Sequence, residues 1–276
     1  MPKATVISLV NMKGGVGKTT VAVNLAAYLA RDHGKKVLLV DLDPQTNASL
    51  SLMSEKAWVK WSEEHGTMAD VFEVDPKPKR AGERVALKDC IVRSVVPEIP
   101  GLDLVPGHLR LTFLDLDLAA RPGRERIFGR KLEKVASDYD VVICDCPPNL
   151  QTATQNALYA SDYYLVPMQP DFLSSIGLDL LLDRLRYLKT QLQFKIRCLG
   201  VVFSRVRGHV AFHQETMARL PKEKEFKSLH FFKTVIPENI TLSEAPMSAK
   251  PIALYDASAP GAQAFAELAA EVAGRL

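Results

Sequence analysis

Residues 10–20, VNMKGGVGKTT, hold three glycines, two lysines and two threonines in eleven positions. A glycine-rich turn between an apolar run and a helix gathers backbone N–H groups and the positive end of a helix dipole, an arrangement that binds phosphate. Gly14, Gly15, Val16, Gly17, Lys18, Thr19 and Thr20 make up that cradle. Lys18 is placed to reach the β- and γ-phosphates of a nucleotide, and the Thr19 hydroxyl to ligate Mg²⁺. The usual loop reads G-x-x-x-x-G-K-[ST], and this chain has Met12 where its first glycine belongs. A second lysine, Lys13, stands at the mouth instead.

Two further stretches bring carboxylates. DLDPQTN offers Asp41 and Asp43, and DCPPN offers Asp145. A metal-bound triphosphate needs a carboxylate near the metal and a group that orients the attacking water. Helix capping and turn formation account for one of these aspartates more easily than for all three.

The elements that position these residues follow from periodicity. ATVISLV, KKVLLVDLD, LDLVPG, DVVICDCPP, DYYLVPMQP, IRCLGVVFS and FFKTVIP read as strands, mostly continuous apolar runs of the kind buried on both faces of a parallel sheet. Helical periodicity covers about 18–33, 123–138, 151–160, 174–194, 208–220 and 261–275. Strand and helix in alternation predict an α/β fold, a doubly wound and mainly parallel sheet flanked by helices, of P-loop NTPase type. In such sheets ligands bind beyond the carboxyl ends of strands, where all three motifs fall. One domain over 1–276 is expected, with an irregular insertion at about 53–100. Within it VDPKPKRAGE reads as an exposed connection, and Trp58 and Trp61, three apart, share a helix face and are expected to pin the insertion to the body.

The chain has 276 residues, 47% hydrophobic and 24% charged, which is the make-up of an ordinary globule and excludes a disordered chain. No apolar run approaches the roughly 18 to 20 residues that span a bilayer. Cys90, Cys144, Cys146 and Cys198 show no C-x-x-C spacing, and no signal segment opens the chain, so a reduced, cytoplasmic protein is expected. The net charge of +3 is uneven: residues 195–250 hold ten Lys and Arg against five acids. That balance is compatible with a basic face for nucleic acid and equally with a solvated helix rim.

Taken together, KGGVGKTT, VLLVDLDPQTNAS, VVICDCPPN, LVPMQP and VIPENITLSEAP resemble the ParA/Soj group of the deviant Walker A ATPases, the wider set that includes MinD and the nitrogenase iron protein. The likeness runs over nearly the whole chain and is weakest at 53–101. It implies ATP and Mg²⁺ as cofactors and an ATP-dependent homodimer that sandwiches two nucleotides. Hydrolysis in the group is weak alone and stimulated by a partner. By the same resemblance Lys13 corresponds to the signature lysine that crosses the dimer interface to the other subunit's phosphates, while Lys18 binds in cis. A lysine supplied in trans neutralises phosphoryl charge as an arginine finger does. Asp43 matches the catalytic aspartate, and Asp145 the Walker B acid that holds Mg²⁺ through water. Pro237 and Asn239 fall in the segment that contacts adenine, and Gln45 and Asn47 are switch candidates.

The resemblance also implies non-specific DNA as the matrix, a ParB-like or cargo-adaptor protein as the stimulating partner, and segregation of plasmid or chromosomal DNA at the nucleoid. Arg205 and Arg207 lie near the position of a DNA-contacting arginine, and Lys222, Lys224 and Lys227 are further candidates. Many relatives read IPRNVRLSEAP, with basic residues where this chain has Glu238 and Thr241, so the usual surface is remodelled. Two other uses belong to the same superfamily. One is the positioning of a protein cargo or organelle. The other is a MinD-like switch on a membrane, which calls for a terminal amphipathic helix with a basic polar face. The tail GAQAFAELAAEVAGRL has Arg275 as its one cation and is expected to pack on the body, so no membrane partner is expected. A cluster carrier like the iron protein is disfavoured by Cys144 and Cys146, which sit inside a buried strand end. Larger plasmid relatives carry an operator-binding helix-turn-helix before the phosphate loop; the chain has no such extension, and site-specific repression is not expected.

Overall fold

The computed structural model describes residues 4–74 and 85–276. Most of VDPKPKRAGE lies outside those residues. Six strands, β1 (Thr5–Leu9), β2 (Val37–Asp41), β3 (Leu102–Val105), β4 (Val141–Asp145), β5 (Tyr163–Met168) and β6 (Arg197–Phe203), form one parallel sheet in the order β3-β2-β4-β1-β5-β6. The helices are α1 (Lys18–His33), α2 (Asn47–Leu50), α3 (Glu55–Glu64), α4 (Met68–Phe72), α5 (Leu114–Asp117), α6 (Ile127–Leu132), α7 (Thr152–Ala160), α8 (Ser174–Leu192), α9 (Ala211–Arg219), α10 (Ile240–Glu244), α11 (Ile252–Tyr255) and α12 (Pro260–Ala273).

The period of two along each strand divides the interior into two cores. Leu38, Val40, Val142 and Cys144 face one core, with residues of α4, α6, α7 and α8. Val37, Leu39, Val141 and Ile143 face the other, with α1 and α12. Because both faces are covered, apolar residues fill most strand positions, with buried Ser8 and Asp103 among the exceptions. Ala22, Ala26 and Ala30 on α1 keep its surface low, and α12 packs against it through Phe265, Leu268 and Val272. The apolar face of the terminal helix is thereby buried, as the alanine-rich tail predicts. No helix among the described residues is long and apolar enough to cross a membrane.

Two expected elements come out differently. FFKTVIP is not a seventh strand: it runs beside β6 and its extension with isolated bridges of Val201 with Phe231 and Val206 with Pro237, and with Ile236 N donating to Phe203 O at 2.8 Å. Between them the backbone N–H groups of Lys233 and Thr234 donate to the Glu271 carboxylate of α12, at 3.1 and 2.8 Å, and not to a neighbouring strand. The segment 123–138 is not one helix but a 3-10 turn, α6 and a second 3-10 turn. Asn156 of α7 explains the first break. Its amide accepts from Phe128 N at 3.0 Å and donates to Arg124 O at 2.8 Å, replacing the i→i−4 bond those two groups would share.

Within 53–100 the described residues form α3, α4 and a 3-10 turn at Leu87–Cys90. Trp58 Nε1 donates to Gly107 O at 3.1 Å and Trp61 Nε1 to Cys90 O at 3.3 Å, and both rings pack on the α1 side of the sheet. The shared helix face therefore does pin α3 to the body.

Candidate nucleotide site

The order β2-β4-β1 sets the three motifs side by side. Leu9, Asp41 and Asp145 are register partners at the carboxyl ends of these strands, and the loops that follow surround one cleft of about 880 Å³. Its phosphate side is built from Gly14, Gly15, Gly17, Lys18, Thr19 and Thr20. Gly15 and Gly17 have φ of +74° and +84°, a region that a Cβ would oppose. Gly17 caps α1 without a side-chain partner for the first N–H groups of the helix. Those donors are what an anion would satisfy. From outside, Ser204 Oγ donates to Val16 O at 2.5 Å and Arg205 Nη1 to Gly15 O at 2.7 Å, so the end of β6 braces the loop. The Val16 side chain is buried, leaving only its backbone for a ligand.

Carboxylates lie under this loop. Thr19 Oγ1 donates to Asp145 Oδ2 at 2.7 Å, while Asp145 Oδ1 is buried with no hydrogen-bond partner. Burial pushes the Asp145 carboxyl well above the usual range, and neighbouring Asp41 pushes it further. Asp41 is also buried, and its carboxyl is pushed up to about 6 by burial despite its bonds from Ser49 and Asp43 N. Ser49 N and Oγ donate to Asp41 Oδ2 at 2.9 and 2.6 Å, and Ser49 Oγ accepts from Gly107 N at 2.9 Å. Asp41 is thus a staple between the ends of β2 and β3. Asp43, by contrast, lines the cleft, with Oδ1 accepting from Gln45 N at 2.9 Å. Burial lowers the Lys18 ammonium pKa, and Asp145 is the largest opposing charge.

An orphaned carboxylate oxygen beside a threonine hydroxyl, with a lysine and a helix N-terminus above it, is short of positive charge. Mg²⁺ fits there. It is commonly held by one or two protein oxygens, water and substrate phosphates, and not by an all-protein cage. Among the described residues no group of three His, Cys, Asp or Glu could hold a metal ion. Thr19 and Asp145 would hold it, and it would draw charge from the transferred phosphoryl group.

On the opposite wall stand Pro237, Glu238, Asn239, Ile240 and Met247. Asn239 Oδ1 accepts from Thr241 N at 2.8 Å and so caps α10. Gln45 and Asn47 flank the cleft and are exposed, whereas Thr46 between them is buried in the left-handed region at φ +57°. Lys13 does not face the cleft. Its Nζ is ion-paired with Asp171 in the turn between β5 and α8, and its N donates to Asn11 Oδ1 at 2.9 Å. Of the basic candidates, Arg205 and Arg207 lie at the cleft edge and both pair with Glu238. Lys222, Lys224 and Lys227 are exposed beyond the far end of α9, whose nine residues span about 13 Å.

The geometry is that of a nucleotide site, and comparison with known proteins says whose. An AAA domain family model matches residues 4–198. The Bacillus subtilis sporulation initiation inhibitor protein Soj is 37% identical over 97% of this chain and 98% of its own. The chain belongs to the ParA/Soj group of P-loop ATPases. The Thermus thermophilus chromosome-partitioning ATPase Soj is 36% identical to this ParA-type chain, over 98% of it and 96% of its own length. A solved structure of cobyrinic acid a,c-diamide synthase from Mycobacterium smegmatis, with a bound ATP analogue and magnesium, is also similar. Its TM-score is 0.76 at 27% identity, covering 97% of this chain and 93% of its own. ATP and Mg²⁺ binding in this fold accord with the orphaned oxygen of Asp145.

Sequence reasoning about this ParA-type ATPase did not find the roles of Ser204, Asp171 and Ser49. Ser204 and Asp171 act on residues far along the chain, and Ser49 links Asp41 of its own motif to distant Gly107, so no local pattern announces these roles. Ile240 and Met247 on the opposite wall of the cleft were not singled out either, although they lie in or beside VIPENITLSEAP.

Proposed function

We propose that two copies of this ParA-type ATPase, each holding Mg·ATP, pair face to face, bind DNA without regard to sequence, and let go after partner-stimulated hydrolysis. The whole chain acts as one ATPase domain with 53–100 as an insertion. Gly14 to Thr20 cradle the phosphates, Lys18 binds them in cis, Thr19 and Asp145 hold the metal, and Asp43 positions the lytic water. Pro237 and Asn239 flank the base. A ParB-like or cargo-adaptor protein stimulates turnover, and the cycle moves plasmid or chromosomal DNA across the nucleoid in the cytoplasm.

One observation carries the pairing. Lys18 serves the chain's own cleft, while Lys13 is directed away from it to Asp171, on a rim where Phe172, Leu173 and Ile176 are exposed. A lysine kept out of its own site beside an uncovered apolar rim is placed to serve a second copy.

The test is binding of random-sequence duplex DNA at two salt concentrations, with ATP, with ADP and without nucleotide. Wild type is expected to bind only with ATP and less at high salt. Lys13→Ala loses both dimer and DNA binding, and Asp43→Ala holds the ATP-bound dimer while turnover stops. ATP-driven dimerisation with no DNA binding in any state would sink the DNA reading and turn attention to a protein cargo. Normal turnover by Asp43→Ala would remove that residue from catalysis.

A further inference from the structure

Arg205 and Arg207 follow β6 at the outer edge of the cleft, and Glu238 stands between them. Its Oε1 accepts from Arg205 Nη2 at 3.0 Å, and its Oε2 accepts from Arg207 Nε. The carboxylate is held in place by its own backbone: Glu238 N donates to Val206 O at 2.9 Å, next to the bridge between Val206 and Pro237. Two guanidinium groups gripping the two oxygens of one anion is the geometry with which arginines hold a phosphate. All three side chains are partly exposed, at 47%, 52% and 29%, so a phosphate on the protein surface can reach the same place.

The trio is also tied to both walls of the cleft. Arg205 Nη1 donates to Gly15 O of the phosphate loop, and Glu238 is flanked by Pro237 and Asn239 on the base side. Arg205 holds this position from a left-handed backbone at φ +53°, an uncommon state for a residue with a side chain. The spacing between Arg205 and Glu238 therefore depends on where the two walls sit relative to one another. Arg207 is fixed separately, its N donating to His213 Nδ1 at 3.1 Å.

We propose that Arg205 and Arg207 form a seat for a phosphate of the nucleic-acid backbone, which Glu238 fills as a built-in competitor until the loaded cleft loosens it. The inference rests on the DNA-binding reading above. Exposed ion pairs are individually weak, so a polymer offering many phosphates at once displaces the carboxylate. A single free phosphate ion competes poorly. The trio carries a net charge of +1 with Glu238 in place and +2 on the arginines once it withdraws. Lys222, Lys224 and Lys227 form a separate patch beyond α9, where Arg219 is already paired with Glu223. The seat is thus the part of the basic surface that the nucleotide can control.

The experiment uses the full chain without nucleotide, with ADP and at saturating Mg·ATP, with the ATP affinity of each variant measured alongside because Glu238 borders the cleft. Binding of a random-sequence duplex is followed over a salt series for wild type, Glu238→Gln and Glu238→Ala. Every additional DNA phosphate that the protein neutralises steepens the slope of log affinity against log salt by about 0.9. Without nucleotide and with ADP, where Glu238 still fills the wild-type seat, the residual binding of both variants is expected to be several-fold tighter than that of wild type with a slope steeper by about 0.9, which corresponds to one phosphate, and the difference narrows at saturating Mg·ATP. Adding Arg205→Gln and Arg207→Gln to Glu238→Gln returns the slope to the wild-type value or below. If wild type binds DNA with ATP but the Glu238 variants match its slope and affinity in every nucleotide state, the seat is overturned and the DNA reading stands. If no protein binds DNA in any nucleotide state, both are overturned. A gain seen only on anionic lipid vesicles overturns the assignment to nucleic acid.

Discussion

Asp145 shows most directly how single residues carry the chemistry. A buried carboxylate with one oxygen on Thr19 and the other unpartnered is held at a cost that a divalent cation would remove. Asp145→Asn is therefore expected to keep the weak metal-free affinity for ATP and to lose the increase that Mg²⁺ brings. ATP titrations with Mg²⁺ and with a chelator check this, and an undiminished Mg²⁺ effect in the variant would rule Asp145 out as a metal holder. This residue was legible in DCPPN, as Lys18 and Thr19 were in GGVGKTT, because the chemistry of phosphate and metal restricts both residue type and spacing. Asp41 was ambiguous in the sequence. Only the bonds from Ser49, eight residues on, separate its stapling role from the cleft position of Asp43.

Elements are held by charges as well as by the two cores. Asp70 of α4 is ion-paired with Arg110 at 2.8 Å, with side chains only 6% and 11% exposed. Burial alone would raise the Asp70 carboxyl, but the bond and charge of Arg110 prevail and hold it below its usual range. A carboxyl depressed in the folded state contributes stability above its unfolded pKa, and that contribution is lost as pH falls through the folded value. Asp70→Asn is expected to cost about 3 kcal/mol at neutral pH, since it removes the carboxylate that is ion-paired with a buried guanidinium. Its stability should also fall less than that of wild type on acidification. Urea unfolding at neutral and acid pH measures both, and parallel losses in the two proteins would contradict the assignment. At this level the strands were readable from their apolar runs, but 231–237 misled because its β-branched residues serve a path beside β6. Gly200 permits that path: a Cβ there would lie 2.6 Å from the Phe232 ring and 2.9 Å from His230 O.

For the molecule as a whole, nucleotide binding and folding stability are linked. The cleft is walled by the loops after β1, β2 and β4 on one side and by 237–251 on the other. A ligand that binds only the folded chain at a hundred times its Kd adds about 2.7 kcal/mol. Mg·ATP is expected to raise the melting temperature by several degrees, and Asp145→Asn to lose the part due to the metal. A shift by ATP that is the same with a chelator present would show that the metal does not bridge protein and phosphate. The rim bearing Lys13, Phe172 and Ile176 is uncovered in the single chain, which is why pairing is argued at this level and not from any one residue.

From its residues alone this chain declared a parallel α/β sheet, a phosphate loop with a second lysine, three carboxylates at strand ends and a packed terminal helix. Those features are local: they follow from period, spacing and the few residue types that hold phosphate and metal. Folding decided which charges meet. It set Lys13 on Asp171, 158 residues away, and closed Glu238 over Arg205 and Arg207 across some thirty positions. Along the sequence those arginines are candidate DNA contacts and that glutamate a departure from the relatives' pattern, with nothing to link them. Charge acts through distance in space, and for residues far apart in the chain that distance exists only once the sheet is assembled.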